Sequence, residues 1–467
     1  MTRKIQAVVV ACVFLLGVGC TTGYDKMIKK AEESFYYGKY KDAARSLLPE
    51  VNKESKDQLL FMMECGLMLH AAGDYQNSNK VLLAASALSE RIAKSISKEA
   101  LSLFLNDTVT NYRGEDFEVV LVHMYLGINF LMMKDADSAR VEFKKVNDLL
   151  AEIEVLSGRA YKQNLMAKYL TAIAFELIGD KDNDKNDQQF AFIEYKQILG
   201  LDPRLALVYR DLQRMAKKID YMDEYAQYQA QYGKLDDQPE DAGELIMIYE
   251  SGQGAVKASR GNLLNDKQMA DGIQISLNGL TLQQGVTAAA VLASLKLAEH
   301  PIPKFQKRSN KVSYLMINVD GKDLARTYML ENIEDTAVRN MEDNYTNMYL
   351  KVAAGVVTKA VAAVVAGIAA KKTAEQFKKT SGVAGLIGTV VGAGVGAGLM
   401  ANIKPDLRCW HTLPANLQLG RLYLKEGAYT IKIRFLDAAG NEVIGSKEGE
   451  IEIKKGQKTF FNYRTLF

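Results

Sequence analysis

One short segment of the chain brings together residue types that support nucleophilic chemistry. The stretch DLRCWHTLP, residues 406 to 414, carries Cys409 and His411 two positions apart. On a β-strand, residues two apart share a face, so the thiol and the imidazole would lie side by side. A Cys–His nucleophile also needs a third group that orients the imidazole, and the neighbouring sequence offers none. The pattern therefore favours a structural role for this segment over catalysis.

Other catalytic and cofactor motifs are missing from the sequence. It contains no phosphate-binding G-x-x-x-x-G-K-[ST], no H-E-x-x-H zinc motif and no G-x-S-x-G nucleophile elbow. The histidines stand singly, without the spacing of a zinc site: His70, His123, His300 and His411. A net charge of +3 does not favour nucleic-acid binding. We expect a protein that is not an enzyme and that uses no metal or cofactor.

The amino terminus has the parts of a secretory signal that ends at a cysteine. A basic start precedes an apolar run from Ala7 to Leu16, which is shorter than the roughly 20 residues of a membrane span. The small pair Val18 and Gly19 comes directly before Cys20. This pattern resembles the lipobox of bacterial lipoproteins. The resemblance implies cleavage before Cys20, with diacylglycerol on its sulfur and a further acyl chain on its new amino group.

The residue after the cysteine indicates which membrane holds the protein. Thr21 follows Cys20, whereas Gram-negative lipoproteins that stay at the inner membrane commonly have Asp there. The resemblance therefore implies an outer-membrane lipoprotein that faces the periplasm, since two or more acyl chains give stable anchoring. The alternatives are an uncleaved anchor and a plain signal peptide.

A repeated pattern occupies the N-terminal half. Two stretches carry a small residue, a Gly seven positions later and a Tyr two further on: Ala31, Gly38 and Tyr40, then Gly66, Gly73 and Tyr75. A third copy keeps Gly127 and Ala139, and a fourth begins at Ala172. The copies resemble tetratricopeptide repeats (TPRs). In such repeats a small residue lets paired helices approach, a Gly ends the first helix and a Tyr fills the groove between the pair.

The later part of the repeat region predicts a surface loop and a helical cap. The polar stretch DKDNDKNDQQ, residues 180 to 189, predicts a surface loop that interrupts the fourth copy. Residues 206 to 232 predict one or two capping helices, whose tyrosines form a capping face or, alternatively, a peptide-contacting stripe: Tyr221, Tyr225, Tyr228 and Tyr232. Stacked repeats leave a concave surface that usually holds a protein or peptide. We expect envelope proteins or peptides to bind in this repeat groove.

Strand patterns replace helical ones in the C-terminal half. A short apolar run, Leu245–Tyr249, lies between glycines and predicts a buried strand. The stretch DGIQISLNG alternates from Ile273 to Leu277, and AYTIKIRF alternates from Tyr429 to Phe435, so both predict strands. In NLQLGRLYL the alternation slips at Gly420–Arg421, which predicts a bulge.

A long helical stretch and an uncharged glycine-rich stretch, residues 381 to 403, lie between the strands. Gly388, Gly392 and Gly396 recur every four residues, which leaves a flat strip where another helix can approach closely. Together the two stretches predict a helical hairpin. Three alternatives stay open: the hairpin packs within the domain, associates with other copies of the chain, or inserts into a membrane.

These patterns divide the chain into five segments. They are a signal peptide (1–19), a TPR-like helical domain (20–235), the first part of a β domain (236–330), the helical hairpin (331–403) and the second part of the β domain (404–467). The fold class is α+β multidomain: a TPR-like α-solenoid followed by a β-sandwich-like domain that the glycine-rich hairpin interrupts. Strands before Asp320 would pair with strands after Asp406.

Two motifs carry a resemblance to a family of bacterial lipoproteins of uncharacterised function. They are ELIMIYESGQGAVK, residues 244 to 257, and DLRCWHTLP, where the family pattern is matched by Asp406, Arg408, Trp410, Thr412, Leu413 and Pro414. The resemblance covers nearly the whole mature chain and implies an N-terminal helical-repeat half. Members tend to be encoded beside small lipoproteins similar to activators of penicillin-binding proteins, which implies a role near peptidoglycan synthesis. No catalytic residues carry over.

Two functions follow as hypotheses. The first is a non-enzymatic protein–protein interaction scaffold, anchored in the outer membrane by lipid on Cys20. The alternative is a subunit of an oligomeric, membrane-associated assembly, such as an export or appendage apparatus, which the glycine-rich hairpin holds together.

Overall fold

The computed structural model describes residues 23–95, 111–157, 164–234, 241–280, 286–296, 298–378 and 403–467. The predicted signal segment with Cys20 lies outside these residues, as do Gly388, Gly392 and Gly396 of the predicted hairpin. The described chain forms three layers. Helical pairs make the first, a four-stranded sheet against the first helices of these pairs makes the second, and another four-stranded sheet makes the third.

Ten helices in five consecutive pairs form the described N-terminal half. They are α1 (Gly23–Tyr36), α2 (Tyr40–Val51), α3 (Gln58–Ala71), α4 (Tyr75–Ser95), α5 (Asp116–Met132), α6 (Ala136–Ser157), α7 (Leu165–Asp182), α8 (Lys185–Leu201), α9 (Ala206–Lys218) and α10 (Met222–Tyr232). Each helix packs against the next one along the chain. Helices α3, α5 and α7 are buried on nearly every side, because they contact neighbouring helices and the β half.

The small residues of the repeat lie where the paired helices approach. Ala31 and Ala139 are fully buried. A side chain at Gly66 would overlap Leu82 on α4, and one at Gly127 would overlap the Phe143 ring on α6. Each pair therefore packs at a separation that only a small residue permits.

The turns inside the pairs use the left-handed backbone region. Gly38 and Gly73 have φ of 74° and 75°, and Lys134 takes the same place in the third pair with φ of 64°. Tyr40 and Tyr75, which follow these two glycines, are half-buried. A left-handed residue therefore ends the first helix of each of these pairs.

The predicted surface loop at residues 180 to 189 is wrong. Helix α7 continues through Gly179 to Asp182, and α8 begins at Lys185. Asn183 adopts the left-handed conformation, with φ of 52°, and closes the turn, while the Asp184 side chain caps α8 by accepting from the Asn186 N–H. Polar residues here form two helix ends instead of a loop.

The last two helices, α9 and α10, close the stack. Tyr228 is buried and packs against Phe192 of α8, and Tyr232 stacks on Tyr209 with ring centroids 3.9 Å apart. Tyr221 also meets Phe192 edge to face. These contacts correspond to a capping face over the last pairs.

Ten strands form the β half within the described residues. They are β1 (Ala242–Ser251), β2 (Val256–Ala258), β3 (Lys304–Gln306), β4 (Tyr314–Val319), β5 (Lys322–Arg326), β6 (Tyr328–Glu331), β7 (Asn416–Lys425), β8 (Gly427–Leu436), β9 (Glu442–Ile453) and β10 (Lys458–Arg464). The sheet nearer the helices has the order β10-β1-β7-β6, and the outer sheet has the order β5-β4-β8-β9. Strand β1 runs parallel to β10 and antiparallel to β7.

The predicted pairing across the central helices is confirmed. Strand β1 pairs with β7 and β10, and β4 pairs with β8, so early strands join late ones in both sheets. One apolar cluster holds the sheets together, with side chains from β1, β4, β7 and β8, among them Tyr249, Ile317, Leu422 and Phe435. The C-terminal sheets therefore share a core between them.

The predicted bulge at Gly420–Arg421 is wrong, because β7 keeps one register with β1 from Asn416 to Lys425. Both faces of β7 are buried. Leu417 and Leu419 face the helices, whereas Leu422 and Leu424 face the outer sheet. The apparent slip arises because an arginine takes the next helix-facing position.

Within the described residues, three α-helices interrupt the strands: α11 (Lys267–Asn278), α12 (Ala288–Leu295) and α13 (Ile333–Lys378). The strand predicted from Ile273 to Leu277 is therefore wrong. Asp266 caps α11 by accepting from the Met269 N–H at 3.1 Å. Met269, Ile273 and Leu277 then fall four apart on the buried face, while Ile275 is 61% exposed.

Helix α13 contains an apolar stretch. By length and composition alone, Tyr349–Ala369 is long enough to cross a membrane, and it is the one such stretch in the described part of the chain. Val352, Val356 and Ala360 of this stretch are buried, and α13 packs on α11 where Gly272 comes close to Ala353.

Candidate protein-binding surface

The concave surface of the helical repeats contacts the chain's own β half. Residues 406 to 414 and the sheet β10-β1-β7-β6 lie against the first helices of the pairs. In this arrangement the β half occupies the face of the repeats in which we expected envelope proteins or peptides to bind. The groove is filled because the buried side chains of α3, α5 and α7 continue into the core of the β half.

A row of carboxylates lines this contact, one from the first helix of each pair. The row consists of Glu32 on α1, Glu64 on α3, Glu118 on α5, Glu176 on α7 and Asp211 on α9. Every one of them contacts a cation or a backbone N–H of the β half. Buried carboxylates require such partners, so the row sets where the β half sits.

Glu64 receives three hydrogen bonds from the segment 406–414. The His411 N–H donates to Oε1 at 2.6 Å, and the Thr412 N–H and hydroxyl donate to Oε2 at 3.2 and 2.5 Å. Burial raises the pKa of Glu64 to about 7, although the His411 charge and these hydrogen bonds oppose the shift. Glu64 therefore changes charge near neutral pH.

Arg408 and Trp410 attach the same segment to α3 and α5. Arg408 donates to Asp57, just before α3, at 2.7 Å, and to Asp406 at 2.7 Å. The backbone N–H of Trp410 donates to Glu118 at 2.6 Å, and the centroid of its indole ring lies 5.9 Å from that of the Tyr125 ring. Trp410 is 1% exposed. The segment is thus part of the core between the two halves.

The two motifs that carry the family resemblance contact each other. Gly254 N–H donates to the Leu413 carbonyl at 2.7 Å, and Ala415 N–H donates to the Ser251 carbonyl at 2.8 Å. Leu413 and Pro414 are buried. The motif positions therefore serve packing between strands and helices.

In the structure, a carboxylate contacts His411 and completes a group of three with Cys409. The sequence did not indicate this third residue. The Glu32 carboxylate of α1 pairs with Nδ1 of His411. Burial would lower the pKa of His411, but the neighbouring Cys409 sulfur and Glu32 hold it well above its ordinary value. The Cys409 side chain is 1% exposed and its sulfur accepts from the Lys257 N–H at 3.4 Å. A substrate has no access to this buried thiol, so the group is structural.

Arg421 occupies the centre of a second ionic cluster, on the helix-facing side of β7. It pairs with Glu176 at 2.8 Å, Asp211 at 3.0 Å and Glu244 at 2.5 Å. Lys458 on β10 adds a contact to Glu176 at 3.1 Å. Although burial alone would raise it, the pKa of Glu176 is held well below its ordinary value by the surrounding cations.

Glu250 on β1 forms a third cluster beneath β10. It accepts from His70 at 2.7 Å, Arg464 at 2.8 Å, Asn462 at 2.9 Å and Tyr125 at 3.1 Å. Burial would raise the pKa of Glu250, but His70 and Arg464 lower it strongly. The carboxylate therefore stays ionised and holds α3, α5, β1 and β10 together.

A sequence signal for these clusters exists. The helix QLLFMMECGLMLHA contains one carboxylate, Glu64, within an otherwise apolar run. A charge at a position that must be buried requires a partner from elsewhere in the chain. Among the described residues, no group of three or more His, Cys, Asp or Glu is arranged to hold a metal ion.

No protein-family model and no curated protein matches the chain. Among solved structures, MamA from Desulfovibrio magneticus RS-1 is similar at 16% identity over 46% of this chain and 95% of that chain, with a TM-score of 0.30. A putative kinesin light chain from Podosopora anserina, whose TPR-like repeats are nearly identical to one another, is similar at 14% identity. The match covers 44% of this chain and 92% of that chain, also with a TM-score of 0.30. These structural neighbours are TPR-like repeat proteins.

Proposed function

We propose that this chain is a protein–protein interaction scaffold of the bacterial cell envelope, not an enzyme, anchored in the outer membrane by lipid on Cys20 and facing the periplasm. The observation that carries the proposal is the stack of five TPR-like helical pairs. Stacked repeats are extended surfaces that hold proteins, and they contribute no chemistry of their own. The buried thiol of Cys409 and the pairing of His411 with Glu32 agree with this assignment.

Because the β half covers the concave surface of the repeats, a partner must bind at another surface. The repeats hold the β half through Glu64, Glu118 and Glu176, so partners bind the outer surfaces of the joined halves. The proposal thus differs from a scaffold with an open groove. The role near peptidoglycan synthesis is part of the same proposal and derives from the family resemblance.

The position of α1 supports the lipid anchor. Helix α1 begins at Gly23, so two residues separate it from Cys20. Acyl chains on Cys20 would hold the first repeat directly at the membrane surface. Partners would then be bound at a fixed, short distance from the outer membrane.

In-cell cross-linking tests the proposal. Cells that express an affinity-tagged chain are cross-linked, the chain is purified under denaturing conditions, and the attached proteins are identified. We expect a penicillin-binding protein or a small lipoprotein, and we expect Cys20→Ser to move the chain out of the membrane fraction. A purified chain that hydrolyses a cell-wall substrate and captures no protein would overturn the proposal.

One observation favours the alternative of an oligomeric assembly. The apolar stretch of α13 leaves Leu350 and Val365 exposed, and the glycine-rich residues 381 to 403 follow it in the sequence. We propose Gly392→Leu as the test, with the size of the native complex as the measurement. A smaller complex supports the assembly, whereas a chain that is monomeric before the substitution rejects it.

A further inference from the structure

We propose that the outer edge of β10 binds an extended segment of a partner protein as an added β-strand. The inference rests on the proposed scaffold function and names the surface and the kind of partner. It concerns the sheet edge, which is separate from the filled concave surface of the repeats.

The hydrogen bonds of β10 show which backbone groups point outward. Glu244 N–H donates to the Gln457 carbonyl at 2.9 Å, and Thr465 N–H donates to the Glu250 carbonyl at 3.0 Å. In a parallel ladder, alternate residues point both backbone groups to the same neighbour. Residues 457, 459, 461, 463 and 465 therefore face β1, while the outward groups belong to Lys458, Phe460, Asn462 and Arg464. No described strand pairs with these outward groups.

The other sheet edges in the described chain carry features that discourage pairing. Strand β9 contains four charged residues and two glycines in the stretch GSKEGEIE. Strand β5 is five residues long and has an irregular register with β4, and β6 has four residues and a register shift against β7. Natural sheets use charges, short strands and bulges to keep edges unpaired.

Strand β10 lacks these protections. Its seven residues, KTFFNYR, contain no Pro or Gly, and its pairing with β1 is continuous. The charges at its two ends are used elsewhere, since Lys458 contacts Glu176 and Glu244 and Arg464 contacts Glu250. The edge therefore presents a row of outward backbone donors and acceptors beside aromatic side chains. An extended polypeptide can form hydrogen bonds with this row.

The surroundings of the edge fit the side chains of such a strand. On one side Phe461 is 39% exposed and stacks on Tyr463. On the helical side, an open cavity of 330 Å³ lies between the Gly38–Asp42 turn and Ala71–Ala72. His70, the residue before Ala71, contacts Asn462 of β10 at 2.8 Å, so this end of the cavity lies near β10. Alternate apolar side chains of an added strand would contact these two features.

The test compares two substitutions at one position. The full chain is used to select binders from phage that display random 12-residue peptides, and the selected peptides are titrated against Phe460→Ala and Phe460→Pro. Both variants lose the same side chain, but only the proline removes the outward N–H, and it leaves the ladder to β1 intact. We expect the selected peptides to alternate apolar residues, to bind Phe460→Ala, and to bind Phe460→Pro at least about tenfold more weakly.

Amide hydrogen exchange gives a second measurement that needs no variant. A bound peptide should slow exchange at Lys458, Phe460, Asn462 and Arg464, whose amides point outward, more than at Thr459 and Phe461, which already face β1. Equal binding to both Phe460 variants, protection elsewhere on the chain, or the absence of any selected peptide would overturn the proposal.

The two proposals fail separately. If in-cell cross-linking captures the same proteins with Phe460→Pro as with Phe460→Ala, the scaffold stands and the β10 edge is rejected as its site. If the peptides behave as expected but cross-linking captures no protein, the edge stands and the scaffold function is rejected. Unchanged Trp410 fluorescence in both variants confirms that they are folded.

Discussion

At the scale of single residues, the contact between the two halves depends on buried charges. Arg421, Glu176 and Asp211 have side chains that are at most 2% exposed, and each has an opposite charge in contact. A complete cluster of this kind contributes little net stability, because desolvation offsets the attraction, but an incomplete one is costly. These residues therefore specify how the halves fit more than how stable they are.

Arg421→Ala tests this point. The substitution leaves Glu176, Asp211 and Glu244 without their shared cation, so we expect the free energy of unfolding to fall by about 3–5 kcal/mol. Urea denaturation measures the change. The matched control is Arg434→Ala, whose partly exposed guanidinium pairs with Asp323 and Glu442, and a loss below about 1 kcal/mol is expected there. Equal losses would show that the buried cluster has no special role.

Glu64 makes the contact sensitive to pH. Because its pKa is about 7 in the folded chain and lower in the unfolded chain, the folded chain binds more protons between these values. Stability therefore falls as pH rises from about 4.5 to 7, by about 3 kcal/mol, and the contribution is constant above that range. Glu64→Gln keeps an acceptor for the Thr412 N–H and should flatten this part of the profile. The exposed Glu33→Gln should leave the profile unchanged; a flattening in both variants contradicts the assignment.

At the scale of helices and strands, small residues determine how closely the paired helices approach. A Cβ at Gly127 would lie 2.6 Å from Cδ1 of Phe143, which is itself fully buried. The ring has no free space into which it can move, because the interior is close-packed. The repeat pattern therefore records a packing constraint between α5 and α6.

Gly127→Ala should lower the free energy of unfolding by about 1–3 kcal/mol, since the new methyl group forces α5 and α6 apart. Gly200→Ala on α8 is the control, because nothing lies within 4 Å of a Cβ at that helical position. That substitution should raise stability by about 0.5–1 kcal/mol through the unfolded state. Thermal or urea denaturation of both variants measures the difference, and a neutral Gly127→Ala would argue against close contact at this pair.

At the scale of the whole molecule, the sheet β10-β1-β7-β6 is a middle layer. Strands β1 and β7 are buried on both faces, with helices on one side and the outer sheet on the other. One apolar cluster runs from the repeats through this sheet to Trp410. The two halves therefore share a core and should unfold as a unit.

Trp410, the one tryptophan of the sequence, reports on this unit because it lies between the halves. During denaturation its emission should shift to longer wavelength in the same transition in which far-ultraviolet circular dichroism loses helix. A red shift that precedes the loss of helix would mean that the halves separate first, and would contradict a shared core. Trp410→Phe, which removes the signal, identifies its source.

The sequence by itself determined the features that depend on neighbouring residues. The spacing of Ala31, Gly38 and Tyr40 predicts a helical pair because packing within a pair uses residues close in the chain. The run from Tyr429 to Phe435 predicts a strand because its alternation is local. The lipid anchor on Cys20 also depends on a local pattern, and it stays a prediction because Cys20 lies outside the described residues.

Tertiary structure decided what lies in the groove of the repeats. Ile273 and Leu277 fit a strand or a helix equally well by spacing, and the cap at Asp266 together with packing on α13 selected the helix. The break in the apolar alternation at Arg421 does not mark a bulge. It marks a side chain that forms ion pairs with residues more than two hundred positions away in the sequence. Buried charge must be paired, and only the folded chain brings Arg421 to Glu176 and Asp211. The same pairing therefore fills the concave surface of the repeats with the β half.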